Sequence, residues 1–205
     1  MYIPKHFQIN DDEFIYEMIE QYSFATLFSV QKGEPYATHL PLILNKTENA
    51  LSGHFARQNE QWKDINNQQV LVVFQGPHCY ISPSWYETSQ AVPTWNYVSV
   101  HVYGELEIVE DQTVILDSLS EMVNKYESPG SSYDYKDVDP KYIEGMRKGI
   151  VAFKIKITKI EAKAKLSQNH SVERQELVIR ELEKSSDQDN LQIASLMKKN
   201  LVNHK

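Results

Sequence analysis

Cysteine occurs once, at Cys79, so no disulfide can form within the chain and a reducing compartment is expected. No apolar run approaches the roughly 20 residues that span a bilayer. The opening MYIPKHFQIN has no basic flank leading into an apolar segment. Neither a membrane span nor a secretory signal is therefore expected, and the cytoplasm is the expected location. Also absent are a G-x-x-x-x-G-K-[ST] loop, a G-x-G-x-x-G turn, an H-E-x-x-H pair and a serine in a G-x-S-x-G elbow. Nucleotide hydrolysis, Rossmann dinucleotide binding, zinc proteolysis and α/β-hydrolase chemistry are left without support. The histidines His6, His39, His54, His78, His101, His170 and His204 show no zinc-site spacing, so no metal is expected. Cys79 sits in an apolar strand pattern, where a buried inert thiol is the usual state. Positive charge is scarce: 21 Lys and Arg face 28 Asp and Glu, a net charge of -7 that argues against adhesion to nucleic acid over the whole surface.

What is present suffices for a real core, since 205 residues at 41% apolar and 24% charged fit one large domain or a domain with an appendage. Asn10 stands three residues before Glu13, a capping-box spacing, and Phe14, Ile15, Met18 and Ile19 follow at helical intervals. SFATLFSV, YATHLPLIL and ALSGHFA read as successive strands joined through QKGEP and NKTEN turns. A short helix is expected around Gln61 to Ile65, then an apolar strand QVLVVFQG, a further strand PHCYIS, and a proline-bracketed loop PSWYETSQAVP. NYVSVHVYGELEIV alternates as a long half-buried strand, DQTVILDSLSEMVNKYE is helical, PGSSYDYKDVDP is a polar loop, and IVAFKIKITKIEA is a last strand. Many short strands, a few helices and no strand-helix-strand alternation argue for an antiparallel, mainly β fold with helical additions (α+β), closed or partly closed as a barrel. Residues 1–165 are expected to form that barrel domain, and 166–205 a helical extension.

The extension contains SVERQELVIREL and NLQIASLMKKN. The connection EKSSDQD exceeds the turn of ~3–4 residues found in a DNA-reading helix-turn-helix, and six acids from Glu173 to Asp189 match six basic residues from Arg174 to Lys205. A packing or dimerisation arm is the expectation. From Lys136 to Lys165, nine Lys or Arg face four acids, which either presents a patch to phosphates or is simply the solvated side of a strand.

Polar and aromatic groups cluster at the expected strand ends, in ATHLP, GHFARQNEQW, SPSWY, VPTWNY and KLSQN. Singly, each has a plain reading: Trp62, Trp85 and Trp95 as core or interface anchors, Arg57 as an ion-pair partner, His39 and His54 as hydrogen-bonding groups. Together they match what a phosphorylated aromatic ligand requires. A phosphate takes a guanidinium, hydroxyls and backbone N–H groups, and a flat ring takes aromatic walls with amides at its polar edge.

On MYIPKHF, GHFARQNEQW, YISPSWY, VPTWNYVSVHVYG and KLSQN, the chain resembles the PaiB family of bacterial FMN-binding negative transcriptional regulators. The resemblance runs from Met1 to the C-terminal helices. It implies the antiparallel Greek-key FMN-binding split barrel, a homodimer with flavin at the subunit interface, and repression of sporulation and degradative-enzyme genes. On this basis Arg57 is expected to hold the FMN phosphate with help from His54 and Asn59. Trp95 and Asn96 are expected to flank the flavin and Thr38 and His39 to line its ring, with Trp85, Lys165, Gln168 and Asn169 as further cofactor contacts. DNA would be reached through the Lys136–Lys165 region, or a protein partner would act instead. Two alternatives stand: an FMN-dependent oxidoreductase or flavin reductase, and a haem-binding or haem-degrading protein with His39, His54, His101 or His170 as axial ligand.

Overall fold

A computed structural model describes residues 1–203; His204 and Lys205, counted among the histidines and basic residues above, lie outside the described residues. The chain begins with a short strand β1 (Gln8–Ile9) and helix α1 (Asp12–Gln21). The cap of α1 is not Asn10 as its spacing to Glu13 suggested but Asp11, whose carboxylate accepts from Glu13 N (3.0 Å) and Phe14 N (3.3 Å). Asn10 instead accepts from Gln8 Nε2, and a carboxylate suits the positive end of the helix better than an amide does.

Strands β2 (Phe24–Gln31) and β3 (Glu34–Pro41) form a hairpin in register from Phe24 opposite Pro41 to Gln31 opposite Glu34. The expected strand YATHLPLIL breaks at Leu42, beyond which β4 (Ile43–Asn45) pairs with β5 (Ala50–Ala56). Leu42 is fully buried and its N–H donates to Ser23 O, so a single apolar residue carries the chain from one part of the sheet to another. After a 3-10 turn at Glu60–Lys63, QVLVVFQG and PHCYIS prove to be one strand, β6 (Gln68–Ile81). Gly76 does not break it. The missing side chain makes room, since a Cβ there would fall 2.5 Å from the Met18 methyl and 3.1 Å from Val98 O.

The long strand β7 (Thr94–Ile108) leads to α2 (Gln112–Tyr126), which Asp111 caps, and then to α3 (Pro140–Arg147). The sequence reading left α3 unassigned; Asp139 at its N-cap and Pro140 in its first turn are the signals that mark it. Strand β8 (Ile150–Lys165) and helices α4 (Val172–Leu182) and α5 (Gln188–Asn203) complete the chain.

The strands form an eight-stranded antiparallel sheet in the order β3-β2-β6-β7-β8-β5-β4, with β1 on β8. The hydrogen-bonded path ends at β3 and β4 and does not close. The chain packs as two compact units. One comprises Met1–Met18, Gln75–His101 and the described part of Glu161–Lys205, and buries Ile81, Val98, Leu166, Val178, Ile193 and Met197. The other comprises Ile19–Phe74 and Val102–Ile160, and buries Leu27, Leu51, Phe74 and Leu106 around the Phe55–Phe153 ring pair, whose centroids lie 4.6 Å apart.

In the second unit β7 and β8 are in such close contact at Gly104 that a Cβ would lie 2.6 Å from the backbone oxygen of Lys156 and 2.5 Å from Ile155 Cγ2. Backbone cannot yield as a flexible side chain can. Gly104→Ala should therefore lower stability by about 2 kcal/mol, the ordinary cost of overpacking, seen in urea unfolding as a lower midpoint at unchanged slope.

Candidate functional site

The segment after β5 was expected to lead into a short helix around Gln61 to Ile65. It forms instead a four-residue 3-10 turn, too short for a useful dipole, with Asn59 as its cap (Gln61 N to Asn59 Oδ1, 3.0 Å). The Asn59 Nδ2 donates to Thr38 Oγ1 (2.8 Å), Thr38 Oγ1 donates to Gln61 Oε1 (2.6 Å), and Gln61 Nε2 donates to Ser29 Oγ (2.8 Å). Gln61 is only 1% exposed. Thr38 and Asn59, expected at the cofactor, are thus brought together, but as members of a network that fixes the turn against β2 and β3. Sequence reasoning did not single out Gln61, because an amide two residues beyond a cap carries no periodic signal of burial.

Arg57 stands at the head of this turn. Its backbone N–H donates to Gly149 O (2.8 Å), its Nε to Lys148 O (2.6 Å) and its Nη2 to Ile150 O (2.6 Å). Its own carbonyl accepts from the Trp62 indole (2.9 Å), whose ring lies 5.9 Å from the guanidinium carbon. The side chain is exposed, and among the described residues no carboxylate pairs with it. Two carbonyls occupy two of its five N–H donors, leaving three and a full positive charge in a fixed orientation. This is an arrangement that fits an anion. His39 is exposed on β3, with Nδ1 2.9 Å from Thr26 Oγ1 and its ring stacked over Phe24. His54, on β5, is half-buried, and burial pushes its imidazole below the ordinary value.

The other predicted residues lie in the first unit. Trp95 is 52% exposed, between His78 (centroids 6.1 Å apart, near-parallel) and Tyr80 (6.1 Å, edge-on). The Lys165 ammonium donates to Trp95 O (2.6 Å) and to Thr94 Oγ1. Burial, and then the neighbouring Lys163, hold its pKa below the ordinary lysine value. Lys163 is almost fully buried, donating to Tyr2 O (3.2 Å) among the rings of Tyr2, Phe7 and Tyr97 at 5.0–5.9 Å. An exposed indole with aromatic neighbours fits a planar ring.

Asn96 is wholly buried, exchanging hydrogen bonds with Ser167 Oγ (3.0 and 3.2 Å). Gln168 closes on its own chain, accepting from Leu166 N (2.6 Å) and donating to Ala164 O (2.7 Å). Asn169 is exposed, and Trp85 is half-exposed in a 3-10 turn beside Tyr86, whose ring lies 4.8 Å from the Arg174 guanidinium. Within the Lys136–Lys165 stretch, Lys154 pairs with Glu48 and Arg147 with Glu144 (2.6 Å each), while Lys136, Lys141, Lys148 and Lys156 stay exposed.

A family model described as "Putative FMN-binding domain" matches residues 1–159. The protease synthase and sporulation protein PAI 2 of Bacillus subtilis (strain 168) is 42% identical over 205 residues, covering 98% of both chains. The uncharacterized protein YKL070W of Saccharomyces cerevisiae (strain ATCC 204508 / S288c) is 32% identical over 154 residues, covering 62% of this chain and 90% of its own. Among solved structures, the flavocytochrome Anf3 from Azotobacter vinelandii matches with a TM-score of 0.63 at 17% identity, covering 80% of this chain and 72% of its own. The FAD and heme binding protein from Mycobacterium smegmatis matches with a TM-score of 0.55 at 13% identity, covering 77% and 72%. At these identities the structural likeness is one of fold.

His54, His101 and His170 are all shifted below the ordinary histidine value of 6.5, with burial the leading cause in each. The unfolded chain therefore binds more protons, so stability is full above pH 6.5 and falls as pH drops through that value, levelling below the depressed folded pKa values. Thermal melts from pH 8 to pH 5 should show this decline, and His54→Gln should make it shallower.

Proposed function

Because this chain belongs to the family of FMN-binding domains that its residues 1–159 match, we propose that it binds FMN and holds the phosphate at Arg57. One observation carries this reading: the Arg57 guanidinium is exposed, oriented by the carbonyls of Lys148 and Ile150, and free of any carboxylate among the described residues. In the other unit, taken by itself, Trp95 presents an exposed aromatic face of the kind a planar ring stacks on, with Lys165 tied to its carbonyl. His54 adds a neutral imidazole near neutral pH. Asn59, Thr38 and Asn96 serve as supports whose hydrogen bonds are already made within the protein. Bound flavin would supply reversible redox chemistry.

We further propose that the protein works as a homodimer with a regulatory role of the kind that the name of the Bacillus subtilis relative indicates. Phe24, Phe28 and Val30 lie exposed on one face of β2, with Pro41, Ala37 and Pro35 opposite them on β3. Leu71 and Val73 of β6 continue the face. A largely apolar exposed face of this kind, interrupted by the Thr26–His39 pair, supports an interface. Direct DNA reading by the C-terminal helices has less support, since α4 and α5 pack on each other and commit Val178, Ile179, Leu182, Ile193 and Met197 to the core.

Titration of the protein into FMN should perturb the visible flavin spectrum. Arg57→Ala should raise the dissociation constant by about ten- to a hundredfold, as loss of a charge-assisted hydrogen bond does. Urea unfolding of the variant separates this from loss of fold, and an unchanged dissociation constant would remove Arg57 from the site. Val30→Glu should shift the sedimentation coefficient from dimer to monomer; a monomeric parent chain would end the homodimer proposal.

A further inference from the structure

The first unit contains a cavity of about 420 Å³ that none of the FMN residues lines except Gln168. Its wall comes from the N-terminal segment (Phe7, Ile9 and Phe14), the end of β8 (Ala164 and Leu166) and Leu196 of α5. At its rim are Lys5, His6 and Lys199. The volume falls within the roughly 300–1,000 Å³ usual for small-ligand sites.

Three features decide what this cavity takes. Six lining side chains, Phe7, Ile9, Phe14, Ala164, Leu166 and Leu196, are apolar, and Gln168 is engaged at both ends of its amide by Leu166 N and Ala164 O, while Gln8, Asn10 and Asn200 supply the polar part of the lining. An alkyl chain asks for no hydrogen-bond partner from the apolar part of that wall. The rim is cationic: Lys5 and Lys199 are exposed, and among the described residues neither pairs with a carboxylate. The one rim carboxylate, Asp11, is turned to the first N–H groups of α1, accepting from Glu13 and Phe14. Finally, the lining is held in a strained form. Ser167, between the lining residues Leu166 and Gln168, is a buried non-glycine residue with φ of +63°. Its conformation is fixed by the reciprocal bonds to Asn96 and by the Gln168 closure, and strain persists where surrounding contacts over-determine it.

We infer that this cavity is a binding site for a long-chain carboxylate, with the alkyl chain against Phe7, Phe14, Leu166 and Leu196 and the carboxylate between Lys5 and Lys199. The KLSQN stretch, which appeared in the sequence as a possible flavin contact, is on this reading the floor of a second ligand site. The inference does not depend on FMN binding.

Calorimetric titration of the full chain with dodecanoate, below its micelle concentration, is the direct test. One saturable site is expected, with dodecyltrimethylammonium, which has the same chain and the opposite charge, at least about tenfold weaker. The double variant Lys5→Ala/Lys199→Ala should weaken dodecanoate by about tenfold or more and leave the weaker binding of dodecanol unchanged. Leu196→Trp, which fills the cavity, should abolish dodecanoate binding, with circular dichroism reporting that the variant is folded. FMN titrations of the same samples should be unaffected, so failure of the flavin reading would show separately. Absence of saturable dodecanoate binding, equal affinity for the two charged amphiphiles, or full binding by the double variant would each overturn the inference.

Discussion

An amide carried out of water must replace its lost hydrogen bonds within the protein. Gln61 does so on two strands at once, bonding Ser29 of β2 and Thr38 of β3, and Asn59 completes the network from the other side of the turn. A slip of one residue in the β2–β3 register would turn Ser29 or Thr38 to the opposite face and leave Gln61 without its partner. The register of this hairpin and the position of the Arg57–Trp62 turn are therefore one constraint. The exposed apolar side of the same two strands follows from it as well, since fixing Ser29 and Thr38 inward fixes Phe28 and Ala37 outward.

Arg57 extends this constraint to the segment where α3 ends. Arg57 donates to three successive carbonyls, those of Lys148, Gly149 and Ile150, and so joins the end of α3 and the start of β8 to β5. The group best placed to receive an anion is thus also the clasp on the inserted helical segment. Since three of its N–H donors remain, an anion adds to these bonds and does not compete with them. An anion held at Arg57 would therefore favour the order of residues 148–150 through a single side chain.

Much of the fold was legible in alternation and turn residues: β2, β3, β5, β7, β8, α1, α2 and the two C-terminal helices stand where periodicity placed them. The differences share a cause, which is that local signals were decided by distant contacts. Gly76 and Pro77 look like a break until the Met18 methyl and Val98 are seen against the glycine. Leu42 reads as the middle of a strand, yet its burial and its bond to Ser23 make it a corner. Asn10 has the spacing of a cap, but the adjacent carboxylate of Asp11 is the stronger acceptor. At the candidate site, residue types were legible and roles were not. Nothing in the sequence separates Arg57, whose charge stays open, from Asn96, whose amide is spent on Ser167, because that distinction rests on a partner 71 residues away.

The lysines of β8 make the same point about charge. Alternation from Lys154 to Lys165 suggests a uniform basic face, yet Lys154 is neutralised by Glu48 and Lys163 lies buried among aromatic rings. Burying an ammonium is costly unless it is solvated by the protein, and the quadrupoles of Tyr2, Phe7 and Tyr97 with the Tyr2 carbonyl provide that solvation. A lysine so placed contributes to the fold of the N-terminal segment and offers no ammonium for direct contact outside the protein. With net charge -7, the exposed lysines that remain make a weak electrostatic basis for gripping a nucleic-acid backbone. The exposed apolar residues of β2 and β3 suit contact with a protein surface better than contact with a nucleic-acid backbone.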